Sequence, residues 1–252
     1  FFFIKLISKT STGSVEVSYA LVEGSYDVNY STKFIGYSDS DAAKVSLKTD
    51  IHLFSTEKHM PSEQRVSTIY FDEEGDYDYL SVGSDDEYEL ESKSNWVAYK
   101  QSFFVAMLMK DDGFDAGSKM NVFKPIEGDS VYLKQYTSDL KLGLNNMSNS
   151  VDLKWYFGPN DYDVLALHKN GSEDIVDLGW GLFRWVNIYA IQPLFEWLIS
   201  TGMAVGMAIF LLTLIVKLAL SPVNFKMYTS SAKMKLLKPQ MEEINAKYPN
   251  KE

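Results

Sequence analysis

The 252-residue chain contains no cysteine. That absence excludes a disulfide framework, a thiolate zinc site and a cysteine nucleophile, and it says little about compartment. Histidine is nearly as scarce, with only His52, His59 and His168. His52 and His59 lack a local triad partner, and surface or packing roles suit them. No P-loop, no G-x-S-x-G, no H-E-x-x-H and no dinucleotide glycine fingerprint occurs. Ser55-x-x-Lys58 and Ser230-x-x-Lys233 have serine–lysine spacing, but matches this short arise by chance. Sequons at Asn29, Asn146 and Asn170 also fall within chance. The stretch Asp72–Glu91 holds ten Asp or Glu. Its Gly75 comes too early for an EF-hand, and Gly83 falls where a bidentate Glu is needed, so it reads as a solvated loop face. Nothing here supports an enzyme. No catalytic residue, metal site, cofactor or ATP site is expected.

Basic charge is also short overall, since the formal net charge is -10. That balance argues against nucleic-acid binding by the large N-terminal part. The charge is uneven, however. Residues 1–180 hold 16 Lys+Arg against 30 Asp+Glu, whereas residues 181–252 hold 8 against 4. The chain is two electrostatic objects joined end to end. Its start has no initiator Met, basic n-region or cleavage site, so no signal peptide is read there. We expect an excerpt from a longer protein.

What is present is alternation. Val15, Val17, Tyr19 and Leu21 alternate with polar residues, as do Tyr26, Val28 and Tyr30. Stretches from Val45 to Leu53, Val66 to Phe71, Val131 to Tyr136 and Val151 to Phe157 follow, with a longer apolar run from Asn95 to Met109. Frequent short strands with polar turns predict an antiparallel β-sandwich. A short helix is expected near Asp161 to His168, after Gly158-Pro159.

From Gly179 the chemistry changes. Gly181 to Ser200 is apolar and aromatic but carries Arg184, Asn187, Gln192 and Glu196, and Pro193 breaks it. This predicts an amphipathic segment lying in the headgroup layer, anchored by Trp180, Trp185 and Trp197. A buried helix of a soluble domain is the other reading. Met203 to Leu220 has only Lys217 and Thr213 as polar side chains. At ~1.5 Å per residue it matches a hydrocarbon core of ~30 Å, and Ser221-Pro222 marks its expected far end. Beyond it lie Lys226, Lys233, Lys235 and Lys238. The positive-inside rule puts that side in the cytoplasm and the acidic domain opposite. Ser230, Met234, Leu237, Met241, Ile244 and Tyr248 recur at coiled-coil spacing and want a partner helix. Pro239 should kink this helix or start a new one. An ammonium within a span costs about 2.5–3.5 kcal/mol near the bilayer centre. Lys217 therefore either faces a polar cavity or snorkels to the headgroups.

Five local motifs, in order, resemble those of YidC-type membrane protein insertases (the YidC/Oxa/Alb family). They are Asn95-Trp96-Val97-Ala98-Tyr99-Lys100-Gln101-Ser102-Phe103-Phe104, Trp155-Tyr156-Phe157-Gly158-Pro159, Asp177-Leu178-Gly179-Trp180-Gly181 with Gln192-Pro193-Leu194-Phe195, Leu211 to Lys217 with Ser221-Pro222, and Ser231 to Pro239. The resemblance implies a partial periplasmic β-supersandwich over residues 1–178, similar to galactose mutarotases. It implies an interfacial amphipathic helix over 179–200, a transmembrane helix over 201–222 and the start of a cytoplasmic helical hairpin over 223–252. Lys217 matches the position where the family usually keeps an Arg inside a groove. Lys retains the charge and loses the bidentate fork.

The implied function is an inner-membrane insertase and chaperone without enzymatic activity. Lys217 and Thr213 would contact substrate in an intramembrane groove. Its partners would be nascent membrane proteins, the lipid bilayer, and the ribosome and SecYEG translocon. The alternative is a membrane-tethered carbohydrate-binding or docking sandwich. There Trp96 or Trp155 would stack on a sugar, unless both pack the core.

Overall fold

The computed structural model describes residues 2–38, 45–125, 131–143 and 149–247. It divides into two compact units, Phe1–Asp177 and Leu178–Glu252.

The first unit is built from twelve strands in two antiparallel sheets. In chain order they are β1 Phe2–Lys9, β2 Ser14–Leu21, β3 Asp27–Ile35, β4 Ser46–Phe54, β5 Thr68–Glu73, β6 Asp76–Tyr79, β7 Asp86–Glu89, β8 Ser94–Lys100, β9 Phe104–Phe114, β10 Lys119–Phe123, β11 Tyr132–Lys141 and β12 Ser150–Pro159. The large sheet runs β1-β2-β3-β12-β9-β8-β5-β6 and the small one β4-β11-β10-β7. Two short helices, α1 Met60–Gln64 and α2 Tyr162–Ala166, complete the unit with a 3₁₀ turn at Ser172–Ile175.

The period of two decides which residues meet. On β8, Val97 and Tyr99 point into the main core between the sheets, where they join Phe71, Leu108, Phe114, Leu133 and Tyr136. Trp96 and Ala98 point the other way and pack with Val105, Met107, Tyr156, Leu165 and Ile175. Leu165 is supplied by α2 and Ile175 by the 3₁₀ turn. Both faces of β8 and β9 are therefore covered at the centre of the large sheet. That is why Asn95 to Met109 reads as a run and not an alternation. The run is two strands joined by a turn at residues 101–103. Asp161 caps α2, its carboxylate accepting from the backbone N–H of Asp163 and Val164.

Several elements lie outside the sequence expectation. Strands β1, β6, β7 and β10 and helix α1 carry no long alternation. The acidic stretch is not an open loop: it forms β6 and β7, with carboxylates used on backbone donors. Asp72 accepts from Asn95 N–H, Asp86 from Ser81 N–H and Asp85 from Lys124 N–H.

The second unit is helical: α3 Leu182–Val186, a π-helical turn Asn187–Ile191, α4 Gln192–Ser200 and α5 Val205–Lys247. Pro193 does not break the segment. It sits in the first turn of α4, where a missing N–H costs nothing, and the π turn before it takes up the register. Gly202 ends α4 at φ 82°, its N–H donating to Ile199 O at 2.9 Å. The helix does not stop at Ser221-Pro222: α5 runs through both Pro222 and Pro239. Pro222 orphans the carbonyl of Leu218, and the Ser221 hydroxyl donates to it at 2.8 Å. The residue before the proline thus repairs the helix that the proline would interrupt.

Candidate functional site

Helix α5 is the one described helix long and apolar enough to cross a membrane. Only 6% of its most apolar window is buried. An exposed apolar rod this large has no stable place in water. At ~1.5 Å per residue, its 43 residues extend ~65 Å, about twice a bilayer core. Its first half is apolar and its second half lysine-rich.

Because the helix continues past Pro222, its faces continue too. At ~100° per residue, Thr213, Lys217, Ser221 and Asn224 fall within an arc of ~80°. Leu211, Ile215, Leu218 and Pro222 lie on the opposite side. A polar seam therefore runs along one face of an otherwise apolar span. Sequence reading singled out Thr213 and Lys217 and missed Ser221 and Asn224, because it closed the helix at Pro222. The available signal was the i, i+4, i+8, i+11 spacing carried across the proline.

Lys217 is exposed and makes no hydrogen bond or ion pair among the described residues. Thr213 differs from expectation: its hydroxyl proton goes to Ile209 O of its own helix at 2.8 Å. It can still accept a hydrogen bond but offers no free donor. Lys226, Lys233, Lys235 and Lys238 are all exposed, and Lys238 lies 3.9 Å from Glu242. Met234, Leu237 and Met241 of the coiled-coil seam are 49–64% exposed. Tyr248 of that seam lies outside the described residues, as does the Asn146 sequon. Trp180, Trp185 and Trp197 are exposed, and Trp185 pairs with Tyr189 at 5.6 Å.

The motifs in the first unit are structural. Trp96 is 1% exposed and its indole N–H donates to Asn170 O at 3.0 Å. Trp155 is half-buried and stacked between Tyr99 and Phe157. Neither ring offers a free sugar platform. Lys100 is buried over the Tyr70 ring at 4.8 Å, and burial lowers its pKa while Asp177 pulls the other way. Gln101 donates to Phe54 O at 3.0 Å, tying the two sheets at one end. Gly158 is required because a Cβ there would lie 2.4 Å from the Tyr156 ring. That ring folds over the turn, and its OH donates to Pro159 O at 2.7 Å.

A polar cleft of about 640 Å³ is lined by Asp27, Asp72, Lys110, Lys154, Tyr156 and His168. His168 Nε2 lies 3.0 Å from Asp27 Oδ1 and its Nδ1 3.1 Å from Leu165 O. Both ring nitrogens face acceptors. No His, Asp or Glu cluster suited to a metal ion occurs among the described residues.

Comparison with known families settles what this two-part chain is. The YidC periplasmic domain model matches residues 4–195, and the 60Kd inner membrane protein model matches residues 197–252. The chain belongs to the YidC family. The Phocaeicola vulgatus membrane protein insertase YidC is 32% identical over 259 residues, covering 98% of this chain and 41% of its own. The YidC of Parabacteroides distasonis is 33% identical over 264 residues, with the same coverage. That of Porphyromonas gingivalis strain W83 is 37% identical over 207 residues, 78% of this chain and 33% of its own. The chain thus spans about two fifths of the YidC relatives that match nearly all of it. A crystal structure of an active YidC insertase aligns over 99% of this chain at 17% identity, with a TM-score of 0.31, too low to compare folds. The family places the β-rich unit with YidC periplasmic domains and the apolar helix in a membrane. The two YidC family models meet inside α4, whereas the compact units divide at Asp177.

Proposed function

We propose that the chain is part of a membrane protein insertase that brings nascent membrane proteins into the bilayer without bond-making chemistry. One observation carries this reading. Lys217 is unpartnered among the described residues, on the same helical face as Thr213, Ser221 and Asn224. That seam would line a groove open to client chains. A cation there lowers the cost of drawing a polar, acidic client terminus part-way into the membrane. Burial of the client's own apolar helix then drives its release into lipid.

The sandwich would lie in the periplasm, and the far end of α5 in the cytoplasm. Lys226, Lys233, Lys235 and Lys238 would meet the ribosome or anionic headgroups, the latter at about 1 kcal/mol per residue. The SecYEG translocon is a candidate partner. Trp180, Trp185 and Trp197 would anchor α3 and α4 at the interface.

The test is Lys217→Ala in the full-length protein, scored by insertion of a substrate with an acidic leader. We expect a severalfold loss of insertion at unchanged protein level, with Lys217→Arg active. Unchanged insertion by Lys217→Ala would sink the groove-cation role and leave snorkelling.

A further inference from the structure

One end of the sandwich carries apolar surface that the fold itself leaves uncovered. Phe54 closes β4, Phe103 sits in the β8–β9 turn, and Phe104 opens β9. These three rings are 56–59% exposed. Phe157, near the end of β12, is 53% exposed and lines an apolar cleft of about 440 Å³ with Phe104 and Pro159. Contacts hold these groups at the same end. Gln101 donates to Phe54 O, and Asn160 N–H donates to Phe103 O at 2.8 Å. Four large exposed apolar rings clustered at one end of a domain mark an interaction surface.

The position of the chain exit says what that surface meets. Asp177, the last residue of this unit, lines one cleft with Ser102, Phe103, Asn160 and Val176. The chain therefore leaves the sandwich beside the phenylalanine end. Helix α3 begins at Leu182. Five residues reach at most ~18 Å, however they are arranged. If α3 and α4 lie in the headgroup layer, Asp177, beside Phe103 in one cleft, is tethered within that distance of it. Exposed aromatic rings are the side chains that partition to such an interface.

We propose that Phe54, Phe103, Phe104 and Phe157 form a lipid-contacting tip, which seats the sandwich on the surface of the bilayer. The proposal rests on the membrane reading of residues 179–222. The tip would give the domain a second attachment besides the covalent link.

The absence of cysteine makes the test direct. Ser102→Cys, Ala116→Cys and Ala219→Cys are each labelled with a fluorophore. The labelled chains are reconstituted into phosphatidylcholine–phosphatidylglycerol vesicles containing doxyl-labelled lipid. Ala116 lies beyond the opposite end of β9, ~33 Å away along the 11-residue strand. Ala219 lies within the span and reports whether the span is inserted. We expect strong quenching at 219, and at least twofold more quenching at 102 than at 116. Phe103→Ser with Phe104→Ser should halve quenching at 102, with the near-ultraviolet circular dichroism retained. Equal quenching at 102 and 116, with 219 quenched, overturns the tip and leaves the span standing. Shielding of the 102 label from both doxyl lipid and aqueous iodide also overturns it, because protein then covers the end. No quenching at 219 means the membrane reading has failed and the tip falls with it.

Discussion

At the residue scale, the informative positions are polar groups placed where burial is costly. Lys134 on β11 is 2% exposed, and its ammonium donates to Ser67 O at 2.6 Å and Val82 O at 2.9 Å. Burial pushes its pKa down to about 8, and Lys124 adds repulsion. Below about pH 8 the ammonium is charged in both folded and unfolded chains, so folding bears the full cost of burying it. Between about 8 and 10.4 the unfolded chain holds the proton and the folded chain releases it, so this residue's contribution to stability rises with pH. The slope approaches about 1.4 kcal/mol per pH unit. Lys134→Met should remove the rise. The gap in unfolding free energy between Lys134→Met and the parent chain should then shift steadily against the variant from pH 8 to 10.4. Urea titrations at several pH values check this, and a constant gap counts against it.

Glu63 shows the opposite balance. Burial alone would raise its pKa, but hydrogen bonds from Thr56 and Ser55, with the backbone N–H groups of Glu57 and Thr56, take it below the usual value. That carboxylate organises the connection from β4 to α1, which explains a charged residue at 1% exposure. Its contribution is present above the usual carboxylate range and fades as pH falls through its lowered pKa.

At the element scale, α5 poses the clearest physical question, because two prolines sit inside one helix. The Ser221 hydroxyl takes the Leu218 carbonyl that Pro222 cannot. In hydrocarbon an unpaired carbonyl is costly, so the pair should be coupled. Ser221→Ala should destabilise α5 by about 1 kcal/mol in the parent chain and by much less in a Pro222→Ala background. A double-mutant cycle of unfolding in detergent reads this difference, and equal effects in both backgrounds would refute the repair. Helix continuity also bears on function, since it aligns Ser221 and Asn224 with Lys217.

At the scale of the whole molecule, the two units treat apolar surface differently. The first packs Phe71, Trp96, Leu108 and Tyr136 inside itself, whereas Phe210, Leu214 and Leu218 of α5 are 43–63% exposed. An apolar face of this size is stable only against lipid, detergent or protein. We expect the chain to be monodisperse in detergent and to aggregate on its removal, as sedimentation velocity reads. A monodisperse chain in plain buffer would count against the span.

The sequence determined the two-part character of this chain. Alternation and turn residues gave an antiparallel β unit, because a strand with one covered face must alternate. The apolar run with a single lysine gave a span, because hydrocarbon tolerates nothing else. The motif residues were legible as a family, though not their roles. Only the tertiary structure decided that Lys100, Trp96 and Gly158 serve packing, since burial depends on what the second face of a strand meets. It decided that Asn95 to Met109 is two strands sharing covered faces, and that acidic residues 72–91 serve backbone donors. It also decided that Pro222 lies within a helix, because Ser221 supplies the missing hydrogen bond. Local sequence records propensity, whereas the cost of a proline, a buried lysine or an exposed phenylalanine depends on neighbours that only the fold brings near.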